Sequence, residues 1–270
     1  MMRKTVFRML TGLLVFACIG APLFARGRQS SSAAEGEGRP VTILVAAAAS
    51  LRNVYEQELI PQFQALYPRI VVEGTYDSSG RLQTQIEQGL TADVFMSAAV
   101  TQMDNLVRGG FVEEQSVRPL LENKIVLVKA AGIATVVTGF RDITAAPVIA
   151  LGDPASVPAG QYAQEIFTSL GIWDAVIAKA SLGTNVTEVL NWVGEASAEV
   201  GVVYATDAAS TDKVEVLAEA PEGTLAQPVI YPVAPVAASA HPEEARLFID
   251  FLASAQGLAA FKAYGFAAAR

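Results

Sequence analysis

Cysteine and histidine are almost missing from this chain of 270 residues, which has one of each, Cys18 and His241. A single cysteine excludes a disulfide scaffold. A single histidine removes most zinc sites and leaves any Ser-His-Asp or Cys-His scheme dependent on His241, which stands before Pro242. Charge is sparse as well, at 17% of residues against 52% hydrophobic, the reverse of a disordered composition. The glycines follow no period, so a collagen-like chain is excluded. Lys and Arg number 19 against 27 Asp and Glu, a net charge of −8, and nucleic acid wants the opposite sign. The length suits one large or two medium domains.

Residues 1–25 open with Arg3, Lys4 and Arg8, continue through an apolar run from Met9 to Phe24 and end in small residues. That is the pattern of a secretory signal peptide, and the run is too short and too interrupted by Gly and Pro for a comfortable membrane span. Its removal leaves 16 cations against 27 acids, a charge of −11. Two processings are open. Val15-Phe16-Ala17-Cys18 resembles a lipobox, whose cysteine becomes a lipidated first residue, whereas cleavage near Ala25 discards Cys18. The apolar run past Cys18 favours the second; the Ser-, Gly- and Glu-rich stretch 29–38, inside a flexible linker assigned to 26–40, favours the first. Both give an exported protein without a disulfide.

From Val41 onward strand-like and helix-like patterns alternate. Apolar runs occur at 41–47, 70–75, 94–97, 125–129, 148–151, 200–205, 214–218 and 229–237, with helical stripes between them. One stripe (Leu51, Tyr55, Leu59, Phe63, Leu66) carries Pro61, which predicts a kink. Near-continuous apolar strands alternating with helices predict an α/β protein with parallel or mixed sheets flanked by helices.

Four strand-to-helix junctions carry small or hydroxyl residues: Ala48-Ala49-Ser50-Leu51, Asp77-Ser78-Ser79-Gly80, Val157-Pro158-Ala159-Gly160 and Gly183-Thr184-Asn185-Val186. Ligands of open α/β sheets bind at the carboxyl ends of strands. Helix N-termini there offer free N–H groups and a positive dipole end to an anion. Taken singly, Ser50, Ser79 and Asn185 read first as ordinary N-caps, and Tyr204 as a core tyrosine.

Several strings, in order, resemble one family. They are Ala47-Ala48-Ala49-Ser50-Leu51, Ser78-Ser79-Gly80, Ala92-Asp93-Val94-Phe95-Met96-Ser97-Ala98, Gly152-Asp153-Pro154 running to Val157-Pro158-Ala159-Gly160-Gln161-Tyr162-Ala163, and Gly201-Val202-Val203-Tyr204-Ala205-Thr206-Asp207-Ala208. Tyr231-Pro232-Val233 and Tyr264-Gly265-Phe266 also fit. Over residues 41–270 the chain resembles the periplasmic molybdate-binding proteins of ABC importers, which have the type 2 periplasmic-binding-protein fold. The resemblance implies two α/β lobes with a ligand cleft between them: 41–122 plus 233–270, and 123–232. It implies crossings near Glu122–Lys124 and Tyr231–Val233. It also implies an oxyanion held by the hydroxyls of Ser50, Ser79 and Tyr204 and the amides of Ala159 and Val186. Asp77 departs from the pattern, and with Arg81 it reads as an outward-facing compensating pair.

The chemistry of such a set is consistent. Moving a bare dianion into a low-dielectric cleft costs tens of kcal/mol, while each charge-assisted hydrogen bond returns about 1.5–3 kcal/mol, so several donors must converge. A set of donors alone suits an unprotonated tetrahedral ion (molybdate, tungstate or sulfate); hydrogen phosphate wants an acceptor for its proton. The implied protein is no enzyme and holds no cofactor. It carries molybdenum only as the oxyanion, works as a monomer with a membrane permease, and is periplasmic or lipid-anchored at Cys18. Two alternatives stand beside it: a binder of sulfate or phosphate, and an exported hydrolase using Ser50 or Ser79.

Overall fold

The strand-like runs assemble into two mixed sheets. A computed structural model describes residues 40–270; the signal sequence 1–25, Cys18 and the 26–40 linker up to Pro40 lie outside the described residues. The first sheet has the order β11-β4-β10-β3-β1-β2 and the second β7-β6-β8-β5-β9. In chain order the strands are β1 (Val41–Ala48), β2 (Ile70–Asp77), β3 (Val94–Met96), β4 (Arg118–Asn123), β5 (Ile125–Ala130), β6 (Ile149–Gly152), β7 (Ala180–Gly183), β8 (Val200–Tyr204), β9 (Val214–Glu219), β10 (Val229–Pro235) and β11 (Ala267–Ala268).

Each sheet has a parallel core and antiparallel additions. β1 runs parallel to β2 and β3, and β10 runs antiparallel to β3 and β4. In the second sheet β6 is parallel to β7 and β8, while β5 is antiparallel to β8 and β9. β8 is buried along its whole length, which accounts for its unbroken apolar string. The α/β architecture expected from the alternation is therefore present in both sheets.

β4, β7 and β11 escaped the pattern reading. β4 begins Arg118-Pro119 and ends Glu122-Asn123, β7 is half exposed and β11 has two residues. None has an apolar run of its own; each is held by pairing with a neighbour.

The helical stretch after β1 starts as a tight turn (Ala49–Leu51) and ends as the helix Ile60–Leu66. Between them lies a π turn, Tyr55–Leu59, in which the Ile60 N–H reaches back to the Tyr55 carbonyl. The widened turn lies just ahead of Pro61, whose missing N–H would otherwise interrupt the ladder. Beneath it Phe63 meets Phe248 edge-on at 4.9 Å and Tyr55 meets Phe261 at 6.1 Å, fixing the helix against the core.

The chain leaves the first sheet at Asn123 and enters the second at Ile125, then returns between Glu219 and Val229. Tyr231–Val233 sit inside β10, which pairs with β4 from Val229 onward. Among the described residues, no helix is long and apolar enough to cross a membrane.

Candidate functional site

Six parallel strands, three from each sheet, aim their carboxyl ends at one region. β1, β2 and β3 deliver Ser50, Ser79 and Ala98; β6, β7 and β8 deliver Ala159, Val186 and Tyr204. A single small cavity is lined by all of these, together with Ala48, Ala49, Ser78, Val157 and Pro158. The five residues implied by the resemblance are thus brought together, two from the first-sheet side and three from the second. The cavity is small, about 10 Å³, a space on the scale of a single water and far too small for an organic molecule. No lining residue carries a charged side chain.

Local structure sets what each donor can offer. Ser50 lies in the turn after β1, with its Oγ 3.1 Å from the Tyr231 hydroxyl. The Tyr231 oxygen in turn accepts from Asn123 Nδ2 at 3.2 Å. Either hydroxyl of the Ser50–Tyr231 pair can be the donor; when Tyr231 donates, the Ser50 proton is left for the cavity. Ser79, fully buried, opens the helix Ser79–Glu87. Its Oγ accepts the Ala98 N–H at 3.0 Å, so its proton is also free.

The backbone donors come from two helix starts, where N–H groups have no partner within the helix. Ala159 is the second residue of the helix Pro158–Ser169. Gly160 follows because a Cβ there would stand 2.0 Å from the Gly152 carbonyl oxygen; only hydrogen lets the helix start seat on the end of β6. Val186 opens the helix Val186–Gly194, whose cap Asn185 accepts the Glu188 N–H at 3.1 Å. Asn185 is therefore an N-cap, and by satisfying the third turn residue it leaves the Val186 amide open.

Tyr204 ends β8 and is buried, and burial raises its hydroxyl well above the usual tyrosine range, so it remains a neutral donor. It donates to the Ala98 carbonyl at a long 3.3 Å. Asp207 accepts the Tyr204 N–H at 3.2 Å and acts as a cap acid. Burial pushes its carboxyl up to about 7, against the lowering pull of that bond.

Asp77 does not line the cavity. Its Oδ2 lies 3.5 Å from Arg81 Nη1, with both side chains partly exposed, and its Oδ1 accepts the Ser78 N–H at 2.7 Å. Neither serine has the base partner a nucleophile needs: Ser50 pairs with a tyrosine and Ser79 with a backbone amide. Among the described residues no three His, Cys, Asp or Glu side chains gather as a metal site would require.

The two sheet systems also touch around the cavity. The Gly80 N–H donates to the Ser156 carbonyl at 2.9 Å, and Gln102 Nε2 donates to Gln161 Oε1 at 3.0 Å. Ser78, Ala98, Asn123 and Tyr231 are the participants that sequence reasoning passed over. Ser78, Ala98 and Tyr231 lie in quoted strings and Asn123 in the expected crossing 122–124, but only the fold shows which groups face one another.

The sequence profile of bacterial extracellular solute-binding proteins matches residues 43–267. YvgL of Bacillus subtilis (strain 168), provisionally named an ABC transporter substrate-binding lipoprotein, is 36% identical over 255 residues, 94% of this chain and 97% of its own. The molybdate-binding protein ModA of Escherichia coli (strain K12) is 35% identical over 232 residues, 83% of this chain and 88% of its own. The solved periplasmic molybdate-binding protein of Azotobacter vinelandii superposes with a TM-score of 0.73 at 22% identity, covering 84% of this chain and all of that one; this likeness speaks for the fold.

Proposed function

The chain belongs to the bacterial extracellular solute-binding protein family, and from that premise we propose that it is the substrate-binding component of an ABC importer whose cargo is molybdate. The observation that carries this reading is the cavity itself, in which hydroxyls and helix-start amides from both sheets surround a space without a charged side chain. Such a ring replaces the water shell of a dianion with fixed dipoles. No single contact could meet the cost of desolvating a dianion, so several charge-assisted donors must act together. Ser50, Ser79 and Tyr204 give hydroxyl protons, and Ala159 and Val186 give amides. The long Tyr204–Ala98 bond yields to an oxyanion, which is a stronger acceptor.

The two sheets with their helices form two lobes, divided near Asn123–Ile125 and between Glu219 and Val229. Because donors come from both, only the closed arrangement satisfies the ion, and binding shifts the lobes toward closure. The closed form is what a membrane permease recognises. The protein acts as a monomer without a cofactor and binds tungstate alongside molybdate, since the two ions share charge and near-equal size. Export rests on the signal sequence 1–25, with Cys18 the candidate lipid anchor.

Calorimetric titration of the mature protein with molybdate, tungstate, sulfate and phosphate tests this. Tight binding of the two metal oxyanions and weak binding of the others is the expected result; sulfate bound as tightly as molybdate contradicts it.

A further inference from the structure

Ser78 caps the helix Ser79–Glu87 but makes no side-chain cap bond. A serine at this position ordinarily accepts an N–H from the first turn. Here the Gly80 amide, one of the two such a cap would accept from, goes instead to the Ser156 carbonyl. The side chain of Ser78 is 97% buried, since the residue is 3% exposed, and it lines the anion cavity. Its Oγ is one of two buried side-chain polar atoms among the described residues without a hydrogen-bond partner; the other is Gln102 Oε1.

An unpartnered buried hydroxyl is a liability in an empty protein, because its hydration is lost and nothing replaces it. Its orphan state makes sense if the missing partner is the guest. We propose that Ser78 is a sixth donor to the oxyanion, supplying a hydroxyl hydrogen bond beside that of Ser79. The tandem serines then divide the work. Ser79 is polarised by the Ala98 amide, while Ser78 has every valence open and turns to whichever oxygen the other donors leave bare. The assignment rests on the oxyanion-binding reading and adds a ligand to it.

The test uses Ser78→Ala in the full mature chain with sodium molybdate. Two readouts move in opposite directions. Affinity falls about 10- to 100-fold, as for loss of one charge-assisted bond. The melting temperature of the unliganded protein stays level or rises, since an orphaned group has been removed. A structural cap predicts the reverse: lower unliganded stability and unchanged affinity. That outcome overturns the proposal, as does unchanged affinity alone. If both quantities fall, the wild-type molybdate complex decides. Ser78 Oγ within about 3.2 Å of an oxyanion oxygen sustains the assignment, and a greater separation ends it. Wild-type protein that binds no molybdate overturns the functional reading itself, which separates that failure from this one.

Discussion

Gly80→Ala adds one methyl group at the seam between the two sheet systems. In the structure a Cβ at Gly80 would stand 2.4 Å from the Ser156 carbonyl oxygen and 2.7 Å from its Cα. Both are backbone atoms, so no flexible side chain can swing aside. Overpacking of this kind costs about 1–3 kcal/mol, and the Gly80–Ser156 hydrogen bond, at 2.9 Å, contributes about 1 kcal/mol more. The contact exists only where the two halves meet. The cost of about 2–4 kcal/mol therefore falls on the closed state and raises the Kd for molybdate roughly 30- to 1,000-fold. Gly80 lies inside a helix, where alanine is favoured over glycine by about 0.5–1 kcal/mol. The unliganded variant should thus melt at the wild-type temperature or above. Calorimetry and differential scanning fluorimetry on the same preparation read both quantities. Wild-type affinity in the variant would refute the reasoning, for it would mean that the seam does not form around the ion.

Ser50→Ala and Ser79→Ala should each weaken molybdate binding by about 1–3 kcal/mol, measured by calorimetry; Ser79→Ala should also lower unliganded stability because the buried Ala98 amide loses its acceptor. Unchanged affinity in both variants would reject the site. Tyr231→Phe removes the hydroxyl between Asn123 and Ser50 and should cost about 1 kcal/mol in affinity with the fold intact by circular dichroism. Asp207 supplies a pH signature. Its buried carboxyl keeps its proton to about pH 7, whereas the unfolded chain releases it near the ordinary aspartate value of 3.8. Raising the pH through that window therefore removes stability, by a few kcal/mol at most. Urea unfolding at low and neutral pH should show this contribution in the wild type and its absence in Asp207→Asn.

Much of the fold is legible in the sequence because buried parallel strands announce themselves. Val200–Tyr204 is apolar from end to end because it is covered along its whole length. Edge and late strands are not legible. Ala180–Gly183 and Ala267–Ala268 exist through their neighbours' hydrogen bonds, a tertiary cause that leaves no local periodicity. The run 229–237 is legible as a strand despite Pro232, which β10 absorbs at an irregularity in its pairing with β4. The five donor positions could be named through family resemblance, since hydroxyl and helix-start patterns alone describe caps equally well. The orientation of Ser78 had no sequence signal, because which of two adjacent serines goes unpaired depends on Ser156 and Ala98, far along the chain.

The central claim is that neutral donors from both sheets hold one tetraoxo ion in the cavity between them. Crystals of the protein grown with molybdate, measured at the molybdenum absorption edge, test it most directly. The account predicts one anomalous peak inside the cavity, its oxygens within about 3.2 Å of Ser50 Oγ, Ser79 Oγ, Tyr204 OH and the amides of Ala159 and Val186. A peak elsewhere on the protein, or one bound mainly through lysine or arginine, would contradict it.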